Sequence, residues 1–379
     1  MKSLQLLFLT IIFVTAGCAS TGKHSLEKGD YYQAALEASQ HLVKNPSNHK
    51  SKDVLKSAYG LAVDAVMTKI SIIKNTTTIS KNTQIAEEYL KLNLLSNTIR
   101  SSHAALEVVP NPERYDEQLK EFLPPAAEEQ YNEGIRLMAN NKLRDARDAY
   151  YAFSKANDFV PGYKDVQNKI GEAKTAATLR VEIQKPIAPN RYQVSSDYFY
   201  AHLLKEASKL SEKHFIEFYS SEDVNRNPSV NPHQLIELSF DDFQVGIMHE
   251  TKDTREIKKD NVKIRDKQPN GEDKPVYGTV KAQFTKYRRE VISQGTLLVR
   301  VFDMASNSQL DNKHFPGQFV WFNEWATFSG DERALSDEQK SMTKVRPMMP
   351  PSEQDLFLEF TKPILDQTTR YIRNQYDFY

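Results

Sequence analysis

Ala176-Ala177-Thr178-Leu179-Arg180-Val181-Glu182-Ile183 is the stretch where the chain changes its period. From Leu179 on, apolar and charged residues alternate, the two-residue rhythm of a strand with one buried face. N-terminal to it the rhythm is helical: Tyr31, Ala34, Ala38 and Leu42 recur at three- and four-residue intervals, a mixture that only a helix brings onto one face. Residues 62–73 and 84–106 continue as long helices, separated by the polar turn Asn75-Thr76-Thr77-Thr78. Pro110, Pro112 and the pair Pro124-Pro125 are read as breaks, since proline cannot continue a helix and restrains the residue before it. C-terminal to the switch, 198–210 reads as an amphipathic helix and 215–219 as a second strand. Strands then dominate over 235–245, 276–292, 296–303 and 319–328, with Ser293-Gln294-Gly295 as a hairpin turn. The Lys-, Asp- and Glu-rich segment 250–275 is either an excursion of that sheet or a loop. A last helix over 353–371 follows Pro350-Pro351. The fold class expected is therefore multidomain: an all-α half over 26–177, then an α+β half over 178–379 with a mainly antiparallel sheet and a C-terminal helix.

A chain of 379 residues, 39% of them hydrophobic, can bury two to three cores. Fifty basic and fifty acidic residues give a net charge of zero, which supplies no long-range field to gather nucleic acid, so no nucleic-acid partner is expected. Cys18 is the only cysteine, which excludes an intrachain disulfide and any cysteine-based zinc site.

Cys18 closes the one long apolar run. Lys2 is a positive n-region, Leu4 to Val14 is apolar except for Gln5 and Thr10, and Thr15-Ala16-Gly17 are the small residues before the cysteine. This resembles a bacterial lipoprotein signal, with Thr15 where that family prefers leucine. The run is too short to span a membrane, which takes about 20 residues. The resemblance implies a signal peptide over 1–17, an acylated Cys18 that attaches the chain to a membrane, and a polar tether over 18–25.

Gly29-Asp30-Tyr31, Ala34, Ala38, Leu42 and Pro46 resemble the second helix of a tetratricopeptide repeat. Leu55, Ala58 and Tyr59 stand where the 34-residue register puts the next first helix. Gly134, Leu143, Ala146, Tyr150 and Pro161 form a second copy over about 126–161. With Pro161-Gly162-Tyr163-Lys164-Asp165 and Ser329-Gly330-Asp331-Glu332-Arg333-Ala334-Leu335, the chain resembles the tetratricopeptide lipoproteins of Gram-negative outer membranes. More distantly, the element order from Leu179 to Leu310 is similar to the domain shared by penicillin-binding-protein activators and the curli secretion lipoprotein. This chain has Met304-Ala305-Ser306 where that domain usually carries a glycine after the hairpin's aspartate.

Sequence motifs for catalysis are absent: no nucleophile elbow, phosphate-cradling glycine loop or His-Glu-x-x-His helix occurs. No two of the nine histidines stand at the i, i+4 spacing that lets a helix offer two imidazoles to one metal. Asp223-x-Asn225-x-Asn227 is not a calcium loop, because Pro228 occupies the glycine position and Gln234 the bidentate one. Asp241 and Asp242 point to opposite faces of a strand. No enzyme activity, cofactor or metal is expected. The cluster that stands out is Phe319, Trp321, Phe322, Trp325 and Phe328, with Phe319, Trp321 and Trp325 on one face. These three are either core, the commoner use of aromatic side chains, or a binding platform for a sugar ring or a partner's helix. The resemblances imply an adaptor in cell-envelope assembly or secretion, anchored to the outer membrane with a periplasmic face and bound to envelope proteins. The alternative is a carbohydrate- or peptidoglycan-binding lipoprotein that uses 319–328.

Overall fold

A computed structural model describes residues 20–212, 215–266 and 274–379. The signal segment 1–17 and Cys18 lie outside the described residues. The chain divides into two units between Ala177 and Thr178.

The first unit is helical: α1 Lys23–Glu27, α2 Tyr31–Lys44, α3 His49–Lys74, α4 Lys81–Arg100, α5 His103–Leu106, α6 Asp116–Met138, α7 Leu143–Phe159 and α8 Val166–Ala177. The tether expected over 18–25 is thus already helical from Lys23. The Asp30 and Asn48 side chains cap α2 and α3 by accepting the backbone N–H of Gln33 and Ser51. Ala34, Ala35, Ala38 and Leu42 bury fully against Leu55, Ala58 and Ala62 of α3 and Leu95 and Ile99 of α4. The hairpin is pinned by His41, whose Nδ1 lies 2.9 Å from Ser51 Oγ and whose Nε2 lies 3.2 Å from Asn45 Nδ2.

α3 runs 26 residues, about 39 Å, without a break between its two expected segments. Its second half buries Val66, Ile70 and Ile73 against Ile85, Tyr89 and Leu92 of α4. The helix expected over 84–106 instead breaks at Ser101–Ser102, where the Ser102 hydroxyl caps α5 by accepting from Ala105 N–H.

Pro124 and Pro125 do not break the chain; they lie inside α6. Ala126 and Ala127 just beyond them are fully buried with Ala86 and Phe159, and that burial offsets the ~3 kcal/mol by which proline disfavours a helix interior. Further along α6, Gly134 lets α7 approach. A Cβ there would stand 2.5 Å from the Phe153 ring.

The second unit is a five-stranded mixed sheet in the order β2-β1-β3-β4-β5: β1 Leu179–Ile183, β2 Ile216–Ser220, β3 Gln234–Arg265, β4 Val276–Asp303 and β5 Ser308–Gly330. β1 is parallel to β2 and β3, with α9 Gln193–Ser211 as the crossover from β1 to β2. β3, β4 and β5 form an antiparallel meander. α10 Ser221–Arg226, α11 Asp337–Lys344 and α12 Glu353–Tyr376 complete the unit.

The segment 250–275 is an excursion of the sheet as far as Arg265, with 267–273 outside the described residues. The turn expected at Ser293-Gln294-Gly295 does not exist; β4 passes straight through it. Gly295 stands opposite Gly317 of β5, and both lie under α12. A Cβ on Gly295 would fall 2.4 Å from Phe243 Cβ, and one on Gly317 2.4 Å from the Phe360 carbonyl oxygen. These glycines mark close approach of a helix rather than a change of direction.

α12 covers one face of the sheet: Phe357, Phe360 and Ile364 bury with Phe240, Val291, Leu297 and Val299. The opposite face is covered near the β3–β4 tip, where Val280, Ala282, Phe284 and Ala326 pack under Ala334, Leu335 and Met342. Met348, a few residues on, is bonded to Asn323 and Arg289 on the α12 side. Since α11 packs on β5, the outermost strand, the chain passes round the β5 edge between Met342 and Met348.

Candidate functional site

Strand β5 carries both tryptophans and positions them by its register with β4. Trp325 lies opposite Tyr287, and Tyr287 opposite Lys252 of β3, so one row crosses three strands. The indole and phenol stack with centroids 5.3 Å apart and planes 5° from parallel. The Lys252 ammonium stands 5.8 Å from the Tyr287 centroid and the Arg289 guanidinium 5.2 Å from that of Trp325, both within cation–π reach. Arg289 is fixed by donating to Glu250 Oε2 at 3.0 Å and to the Met348 carbonyl at 3.1 Å. Trp325 is consequently only 8% exposed. A sugar ring would have to displace Tyr287 or Arg289 to reach it.

Trp321 and Phe319 are half-buried on the same face, so of the expected platform only these two retain surface. Trp321 sits opposite the buried Val291. The exposed members of the cluster are Phe322, 55% accessible, and Phe328, 37%, both on the other face. Arg288 lies over the Phe322 ring at 4.7 Å and donates to Glu324 at 3.0 Å, while Lys286 approaches the second Glu324 oxygen at 3.0 Å. Hydrogen bonds from Lys286 and then Arg288 hold the Glu324 carboxyl below its usual range, so it stays ionised beside the ring. Periodicity could assign Phe322 to a face. It could not show that this part of the face lies open, because the cover comes from residues 331–344.

The helical unit has its own apolar surface. Leu61, Ala65, Thr68 and Ile72 follow one another along α3 at helical spacing, and Leu61, Met67 and Ile72 are all exposed, Ile72 by 63%. Ile79, in the loop after α3, is 90% exposed. A helix that is apolar on its outer side as well as its inner side presents a surface to something else.

Among the scattered histidines, His233 joins β1 to the start of β3. Its Nδ1 accepts the Arg180 N–H at 3.0 Å, and the Arg180 guanidinium is 2.9 Å from its Nε2. Burial first, and then the Arg180 charge, pull its pKa down, so it is a neutral structural acceptor. Asp223 sits in a reciprocal cap of α10 with Ser220, as a helix start rather than a calcium loop. Among the described residues no three of His, Cys, Asp and Glu stand together as a metal-binding group, and no helix is long and apolar enough to cross a membrane. A cavity between α9 and α12, lined by Leu203, Ala207, Leu210 and Ile372, holds about 10 Å³, near the volume that one water needs. No protein-family model matches this chain, and no curated protein matches it in sequence.

Proposed function

We infer that this chain is a lipid-anchored adaptor of the bacterial cell envelope. Cys18 carries the acyl chains, the outer membrane holds the chain by its periplasmic face, and the helical unit binds protein partners in envelope assembly or secretion. The observation that carries the reading is the outward apolar line of α3, Leu61, Ala65 and Ile72, with Ile79 exposed in the next loop. Helical hairpins with small residues at their contacts, as at Ala34, Ala38 and Ala58, support a tetratricopeptide-like stack, an architecture whose concave surface binds partners. The repeats are irregular in this reading, since α2 and α3 together already exceed a 34-residue unit.

The test is capture from membranes by the tagged chain, compared with the same chain carrying Ile72→Asp and Ile79→Asp. Partners retained by the wild type and lost from the double variant support the adaptor. A bait that comes back bare from several solubilisation conditions counts against it. Labelled palmitate should enter the wild type and not Cys18→Ser; equal labelling of both removes the anchor.

A further inference from the structure

β3 has two kinds of neighbour along its length. Its first residues pair with β1 through Ile236, with one further bridge at Ser239. From Ile247 on, its outer side has no strand partner among the described residues. Ile247 to Lys259 pairs with β4 in unbroken register, and irregularities at Gln244–Ile247 and Lys259–Val262 bound that run on both sides. Every residue from His249 to Glu256 is exposed. The β5 edge is covered at points along its length. In β5, Asp311 Oδ1 accepts the Asn312 N–H at 2.8 Å, Gln367 donates to the Pro316 carbonyl at 2.9 Å, and the chain passes round the edge between Met342 and Met348. The edge of β3 carries none of these devices.

What it carries is a charge pattern that reverses sign about one residue. In Glu250-Thr251-Lys252-Asp253-Thr254-Arg255-Glu256-Ile257-Lys258, reflection through Thr254 places Asp253 on Arg255, Lys252 on Glu256 and Glu250 on Lys258. Charges alone suffice to blunt an edge; sign reversal about a point is not needed for that. It is what an antiparallel strand needs to pair with itself, because a two-fold axis sets each residue opposite its mirror position. Shifting the centre by one residue destroys the match. About Asp253, Glu250 meets Glu256, and about Arg255, Lys252 meets Lys258.

We propose that the β3 edge binds a second copy of this chain in antiparallel register about Thr254, joining two sheets into one across a two-fold axis. The paired stretch, 249–259, lies wholly inside the unbroken run. Each complementary pair then occurs twice. Asp253 and Arg255 meet on one face, and Lys252, Glu256, Glu250 and Lys258 on the other. Thr254, whose hydroxyl is 3.0 Å from that of Thr285, meets its own twin on the axis.

The test uses the full chain carrying Cys18→Ser, so that any added thiol is the only one. In an antiparallel pair, opposite Cα atoms are about 4.5–5.5 Å apart, inside disulfide reach. Thr254→Cys should therefore oxidise to a covalent dimer. Thr251→Cys should not, since residue 251 faces residue 257 and its twin lies about 20 Å along the strand. Light scattering should find a dimer whose dissociation constant rises at least about tenfold in Asp253→Arg or Arg255→Asp and returns to within about threefold of the parent in the double exchange. A monomer at every concentration to about 0.1 mM overturns the proposal. So do equal cross-linking at 251 and 254, and a double exchange as weak as the single changes.

Discussion

Adding one methyl group at Gly317 tests how α12 lies on the sheet. The new Cβ would stand 2.4 Å from the Phe360 carbonyl oxygen and 2.6 Å from Ile364 Cγ1. The Ile364 side chain can rotate, but the carbonyl is helix backbone, so α12 has to move by about 1 Å to restore an ordinary contact. Forced overpacking of this kind costs about 1–3 kcal/mol, and the entropy that alanine saves in the unfolded strand returns up to about 1 kcal/mol. Gly317→Ala should then destabilise the second unit by about 1–2 kcal/mol. Its urea midpoint should fall by about 0.5–1 M. Both tryptophans lie in β5, so their fluorescence follows this unit alone while far-ultraviolet dichroism follows both. Gly60→Ala is the control: it sits in α3 with nothing within 4 Å of the new Cβ. The same chemical change there should stabilise the helical unit by about 0.5–1 kcal/mol and leave the tryptophan transition where it is. An unchanged or raised tryptophan midpoint for Gly317→Ala would refute the reasoning.

Glu88 is almost wholly buried and accepts from Lys69 and Lys91 at 2.7 Å each. Burial alone would raise its pKa, but the two lysines outweigh it and hold the carboxyl below its usual range. Because Lys69 and Lys91 are about half exposed, Glu88→Gln should cost the helical unit only about 1–2 kcal/mol at pH 7, by thermal melting. A depressed carboxyl contributes in full above the unfolded value near 4.3, and that contribution fades as the pH falls through the folded value. The melting points of variant and wild type should converge in acid, and a gap that persists at low pH would exclude this origin. Acrylamide should quench Trp321 more than Trp325, read from Trp325→Phe and Trp321→Phe chains; the reverse order would contradict the Tyr287 stack. Arg333 donates to Asp331 and to the Lys263 carbonyl, and holds the Asp331 carboxyl down to about 2. Arg333→Ala should speed amide exchange over 331–344 while leaving α12 protected, and uniform acceleration across both would show that the two covers are not separate.

Local patterns were legible where one residue's surroundings are its own neighbours in sequence. The alternation over 179–183 is β1, and Ala34, Ala38 and Leu42 do line the inner face of α2. Patterns failed where a distant element decides. Gly295 reads as a turn because nothing near it in sequence reveals Phe360, and Pro124-Pro125 reads as a break because Ala86 and Phe159 are far away in the chain. The aromatic cluster was visible, yet its division into a covered Trp325 and an open Phe322 depends on Tyr287, Arg289 and the course of residues 331–348. The charge reversal about Thr254 stands in the sequence in plain view. It acquires meaning only when β3 is known to be an edge.

The chain between Met342 and Met348 wraps the β5 edge and joins the lids on opposite sides of the sheet. Either lid can loosen locally, but neither can drift off while the other stays seated, so the short link holds both close to the sheet as a clasp does. A protease nick at the exposed Met349 would divide that clasp, leaving Leu335 and Phe357 each held by its own packing alone.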